Sequence, residues 1–129
     1  MTTWKELQEF ARSKYKLSTD EDNLFGLLWS YEENRTQAIH VSRFDAFDQE
    51  WIKFRTYVCS EGDLAPRAAL VKNDRFALGA LGIDSDGDYS LSHSAPLASM
   101  DLAEFELPLT VLATTADELE KDLTGKDAF

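Results

Sequence analysis

Residues 51–59 read Trp51-Ile52-Lys53-Phe54-Arg55-Thr56-Tyr57-Val58-Cys59, and this run decides the fold. Side chains alternate across a strand, so Ile52, Phe54, Thr56 and Val58 share one face while Trp51, Lys53, Arg55 and Tyr57 share the other. The first face suits a core and the second mixes rings with cations, which is the pattern of a sheet covered on one side. Upstream, Leu24 to Glu32 repeats the period with Phe25, Leu27, Trp29 and Tyr31 on one face and Gly26 and Ser30 on the other. Gln37 to Phe44 adds Ile39 and Val41 as an inward pair. Glu33-Asn34-Arg35-Thr36 reads as a hairpin turn and Asp45 to Gln49 as a loop, so short connections predict an antiparallel meander.

Helical spacing appears on either side of this meander. Thr3 and Glu6 form a capping-box pair before Trp4, Leu7, Phe10 and Ala11, and Lys5, Glu9 and Arg12 lie off that stripe. The polar stretch Ser18 to Asn23 is expected to be a turn. After Ser60-Glu61-Gly62-Asp63, Leu64 to Val71 fits a short helix with Pro66 in its first turn, closed by Lys72-Asn73-Asp74. Phe76 to Ile83 carries no charge and predicts a strand buried on both faces, or on one face in the monomer and the other in an oligomer. Its glycines, Gly79 and Gly82, leave room for another backbone. Asp84 to Asp88 is a hairpin turn, and Tyr89 to Ser94 a strand with Tyr89 and Leu91 on its apolar side. Leu102, Phe105, Leu109, Leu112, Ala116, Leu119 and Leu123 then alternate steps of three and four, a one-sided helix. Pro108 inside it predicts a kink or a late start, and Gly125 an end, with 126–129 as a short disordered tail. The expectation is one α+β domain over residues 1–129, with three helices and a five-stranded antiparallel sheet in the order α-β-β-β-α-β-β-α.

Composition narrows the function. The chain has 129 residues, 24 acidic against 13 basic, for a net charge of −11. That charge repels phosphate backbones and anionic lipid, so neither nucleic acid nor membrane is an expected partner. It is uneven: residues 1–83 hold 13 acids and 11 bases, net −2, and residues 84–129 hold 11 acids and 2 bases, net −9. No apolar run has bilayer length and the N-terminus lacks a signal-peptide core, which predicts a cytoplasmic protein. The single cysteine, Cys59, excludes an internal disulfide.

Reactive constellations are scarce. Asp84, Asp86 and Asp88 suggest a calcium loop, but the sixth and twelfth positions counted from Asp84 are Tyr89 and Ala95 rather than Gly and Glu. His40 and His93 fall on different strands without further ligands at metal spacing. No serine sits in a GxSxG elbow, and no glycine loop fits a phosphate. Cys59 reads as a buried thiol, and Glu104, Glu106 and the carboxylates of 117–122 as a solvated helix face. No catalytic residue, metal or cofactor is therefore expected. The Trp51, Lys53, Arg55 and Tyr57 face reads either as an outer sheet surface, with Lys and Arg stems covering the rings, or as a protein contact surface.

Several stretches carry a resemblance: Trp51 to Cys59, the helix Leu64 to Val71, and Asp74-Arg75-Phe76-Ala77-Leu78. Tyr89-Ser90-Leu91, Pro96-Leu97 and Thr115-Ala116-Asp117-Glu118-Leu119 continue it. In element order and hydrophobic pattern the chain resembles the YbjN-like family of bacterial sensory-transduction regulators, whose fold is similar to that of type III secretion chaperones. Pro108 departs from that pattern. The resemblance implies an acidic homodimer that binds a protein partner and catalyses nothing. It also implies a dimer interface built by the short helix and the strand after it, from Leu64, Arg67, Ala68, Val71, Phe76, Leu78 and Ala80. The rival expectations are a small-molecule-binding or enzymatic domain with a pocket between helices and sheet, and an immunity or anti-repressor protein whose acidic face mimics nucleic acid.

Overall fold

The computed structural model describes residues 2–30 and 36–124. Helix α1 (Trp4–Lys14) precedes strands β1 (Leu17–Glu21), β2 (Leu24–Ser30), β3 (Thr36–Ala46) and β4 (Gln49–Ser60). A 3-10 turn (Glu61–Asp63) leads to α2 (Pro66–Asn73), then β5 (Ala80–Ile83), β6 (Asp88–Pro96) and α3 (Leu102–Thr124). All pairings are antiparallel, and the sheet order is β1-β2-β3-β4-β6-β5. The expected turn at Glu33-Asn34-Arg35, the side chain of Tyr31 and the tail from Gly125 lie outside the described residues.

The sheet has six strands, not five. The extra strand is β1, in the polar stretch expected to be a turn; only Asp22 and Asn23 turn the chain into β2. An edge strand has little to bury, so its residues can be polar. Helix α1 holds it with polar side chains: Gln8 Nε2 donates to Asp20 Oδ1 and Glu21 O, both 2.7 Å, and Arg12 clasps the Asp20 carboxylate at 2.6 and 2.9 Å.

The uncharged run at Phe76 also differs from expectation. Its strand is only Ala80–Ile83 and forms the other sheet edge, with Leu81 alone buried. Gly79 takes φ +90° and turns the chain before the strand. A Cβ there would lie 2.7 Å from Leu112 Cδ2, so Gly79 serves a close helix approach. Gly82 has open space on its Cβ side.

The inward pattern was read correctly where it alternates. Phe25, Leu27, Ile39, Val41, Ile52, Phe54, Thr56, Val58, Tyr89 and Leu91 are all buried. Helices α1 and α3 cover that face, and Phe105 of α3 fills its centre, with ring centroids 5.6 Å from Phe54 and 6.2 Å from Phe25 and Phe10. Helix α3 starts at Leu102, so Pro108 does not delay it. Asp101 caps it, accepting at Oδ1 from Glu104 N (2.8 Å). Leu102, at the top of the stripe, is exposed. Asp117 and Glu120 are buried rather than solvated. Ala113, Ala116, Asp117 and Glu120 follow the same i, i+3, i+4, i+7 spacing as an apolar stripe, so a second face of α3 is covered beside the leucines.

Candidate functional site

The outer sheet face, away from α1 and α3, gathers Trp51, Lys53, Arg55 and Tyr57 along β4. Cross-strand pairing sets Phe44, Ser42 and His40 of β3 beside Trp51, Lys53 and Arg55. On the other side stand Pro96, Ser94, Ser92 and Ser90 of β6. Small neighbours leave an open pocket of about 330 Å³ lined by Leu24, His40, Ser42, Lys53, Arg55 and Tyr57. Gly26 completes its floor, because a Cβ there would come within 3.0 Å of His40 Cδ2. Trp51 stacks on Phe44 at 6.2 Å and 18°, and its Nε1 donates to Ala46 O at 2.8 Å.

The polar groups of this pocket are unevenly satisfied. Burial and the neighbouring Asp84 carboxylate push the Tyr57 hydroxyl up from its ordinary pKa. Asp84 is held low chiefly by the Asp88 backbone N–H; its Oδ1 accepts from Asp86 N and Asp88 N at 3.0 Å, which commits it to the hairpin turn. Arg55 Nε is buried with no hydrogen-bond partner. The side chains gathered here supply hydrogen bonding, charge attraction and an apolar edge at Leu24.

The remaining polar candidates separate. His40 is on the outer face, whereas His93 pairs with inward Phe54 and stacks on it at 6.1 Å, where burial lowers its pKa. The sheet divides them. No cluster of three or more His, Cys, Asp or Glu able to hold a metal occurs among the described residues. Cys59 is buried, and burial, then the charges of Asp63, Asp88 and Glu120, push its thiol up to about 11. Such a thiol carries little thiolate at neutral pH and makes a poor nucleophile.

A second surface joins α2 to β5. Arg67, Val71 and Ala80 are exposed there; Ala68, Phe76 and Leu78 are partly buried against the core, and Leu64 is buried within it. Two exposed apolar residues of these elements were missed by sequence reading: Leu70 of α2, 70% exposed, and Ile83 of β5, 45% exposed like Val71. The signal was the unbroken run Ala68-Ala69-Leu70-Val71, which surrounds a helix with apolar groups when only Ala69 can be buried. Phe47, 88% exposed at the β3–β4 turn, was also missed.

No protein-family model matches the sequence, and no curated protein does. Solved structures do match. One is a chain of the HopA1–SchA chaperone–effector complex, with TM-score 0.66, 16% identity, and 89% of this chain and 90% of that chain covered. Another is a chain of the ExsC–ExsE complex, with TM-score 0.63, 22% identity, and coverage of 91% and 90%. A third is a chain of the heterodimeric ExoU–SpcU complex from the type III secretion system of Pseudomonas aeruginosa, with TM-score 0.59, 15% identity, and coverage of 90% and 95%. The chain thus has the α+β fold of secretion chaperones, matched over nearly its whole length. The YbjN-like resemblance rests on the quoted residues alone.

Proposed function

We propose that this protein is a non-enzymatic, chaperone-like binder of a protein partner, acting as a cytoplasmic homodimer. The observation that carries the reading is the likeness, over about nine-tenths of both chains, to chains of two-protein complexes, one a chaperone–effector complex and another from a type III secretion system. The α2 surface supports self-association, because Leu70 and Val71 stand exposed beside Arg67. The Trp51, Lys53, Arg55 and Tyr57 face supports partner binding, since Trp, Tyr and Arg are the side chains enriched at interface anchors.

Light scattering tests the dimer: the expected mass is twice 14.6 kDa. Leu70→Asp should halve it while circular dichroism stays unchanged, and a monomer at high micromolar concentration overturns the homodimer. Affinity capture from the protein's own cytosol tests the partner: Trp51→Ala with Tyr57→Ala should release a protein that the unaltered chain retains. The rival ligand pocket between helices and sheet gains no support, because Phe105, Phe25, Phe54 and Phe10 fill that space.

A further inference from the structure

We infer that the pocket formed by His40, Ser42, Lys53, Arg55 and Tyr57 receives the carboxylate of an acidic side chain, carried by an extended segment of the protein partner. This rests on the reading of the chain as a protein binder and names the chemistry that the outer face selects.

The pocket sets two cations next to each other in a strongly acidic molecule. Lys53 and Arg55 project side by side from alternate positions of β4, and neither makes an ion pair within hydrogen-bonding range among the described residues. Four cations elsewhere are engaged within the fold: Arg12 with Asp20, Lys14 with Glu106, Arg43 with Glu50, and Lys121 with Asp117. The neighbouring carboxylate, Asp84, accepts at Oδ1 from the Asp86 and Asp88 backbone N–H groups and also engages the Tyr57 hydroxyl and the Arg55 charge. Arg55 Nε is buried without an acceptor. An incoming carboxylate meets the accessible parts of the half-buried Lys53 and Arg55 side chains rather than this nitrogen, and charge-assisted hydrogen bonds of that kind are the strong ones. The rest of the lining is His40, Ser42, Tyr57 and the apolar Leu24, with Gly26 leaving the His40 ring its place.

The surroundings favour a peptide carboxylate over a free anion. The pocket is shallow and lies on a sheet, so it cannot enclose a small ion, but a chain can lie across it. Two residues along β4 from Lys53, the stacked Trp51–Phe44 pair offers an apolar platform. Residues two apart in an extended segment are separated by roughly 7 Å, the same step as along β4. A segment with an apolar residue two positions from a glutamate or aspartate therefore matches platform and pocket together. The acidic face of α3 lies across the sheet and leaves this spot to its own cations.

Amide chemical shifts read the test, with three probes. The first is a capped heptapeptide bearing one glutamate two positions from a leucine, the second its glutamine counterpart, and the third inorganic phosphate. The glutamate peptide should move the His40, Lys53 and Arg55 signals saturably, bind at least about tenfold tighter than the glutamine peptide, and weaken as salt is added. Lys53→Met with Arg55→Met should abolish binding. Should that variant fail to fold, Ser42→Glu places a carboxylate opposite Lys53 within the chain and should block the peptide equally. Equal affinity of the two peptides, or no shift with any probe at millimolar concentration, overturns the pocket. Phosphate binding as tightly as the glutamate peptide overturns the peptide source. A dimer by light scattering that ignores every probe sinks this inference and leaves the proposed function standing.

Discussion

The side-chain amide of Asn73, the last residue of α2, binds both backbone groups of Leu81 in the edge strand β5. Leu81 N donates to Asn73 Oδ1 at 2.7 Å, and Asn73 Nδ2 donates to Leu81 O at 3.3 Å. An amide presents one donor and one acceptor at nearly the spacing of a peptide group, so Asn73 stands where a seventh strand would pair. An uncovered edge invites pairing with another chain. Here one of the two inner residues of a four-residue edge is closed, and self-association through this region is left to the side chains of α2 and β5 rather than to a continued ladder.

Asn73→Ala should expose that edge. It leaves a partly buried N–H and C=O without partners, at a cost of about 1–3 kcal/mol read by urea unfolding. It should also raise the tendency to aggregate, read by light scattering during slow heating. Unchanged stability together with unchanged aggregation would show that water replaces the amide at no cost.

The β3–β4 turn holds Phe47 at φ 53° and Asp48 at φ 60°. Both values lie in the left-handed region, where bulky side chains are strained and two-residue hairpins favour Asn-Gly. Replacing Phe47→Asn and Asp48→Gly should therefore raise stability by about 1–2 kcal/mol, seen as a higher Tm. Phe47 makes this more than a repair, since its ring projects into solvent and loses nothing on removal. A lower Tm would mean that the ring packs against something in solution.

How much of this was legible in the sequence follows from where burial is one-sided. The alternation of Ile52, Phe54, Thr56 and Val58 identified β4 and its inward face, because a central strand covered on one side writes its burial directly into period two. Strand β1 was not legible: Ser18, Thr19, Asp20 and Glu21 are held by backbone pairing and by Gln8 and Arg12, interactions without a hydrophobic signature. The length of β5 was hidden for the opposite reason. Phe76 and Leu78 are apolar because they lean on the core ahead of the strand, and the change of conformation sits in one dihedral of Gly79. Lys53 and Arg55 were visible as a pair, but their pocket depends on register, which brings Ser42 and His40 beside them.

Cys59 should resist alkylation. Its ordinary value of 9.0 rises to about 11, and each unit lowers the thiolate fraction roughly tenfold. At pH 8 iodoacetamide should label the folded protein at least about a hundredfold more slowly than the urea-unfolded chain, as read by mass spectrometry. Labelling at the unfolded rate would mean that the β4–β6 bulge at this residue opens readily.

Glu106 ties the end of α1 to α3. Its Oε2 accepts from the Tyr15 hydroxyl at 2.6 Å and from the Lys14 ammonium. These two donors, Lys14 first, hold the carboxyl below its ordinary value of 4.5. A carboxyl whose folded pKa is lowered releases its proton more readily in the native state, so the unfolded chain binds more protons in the interval between the two values. The stability from this group is present in full above about pH 4.5 and is lost as pH falls through the folded value. Tm should therefore hold between pH 7 and 5 on this account and decline below. Glu106→Gln should lower Tm at pH 7 and flatten the acid decline, because the amide accepts a hydrogen bond but has no proton to gain. Tyr15→Phe keeps the ion pair and removes one donor, so it should produce the same change at smaller amplitude. An acid limb equally steep in Glu106→Gln would place the proton-linked stability elsewhere, first at Asp20, which Arg12 holds low in the same direction.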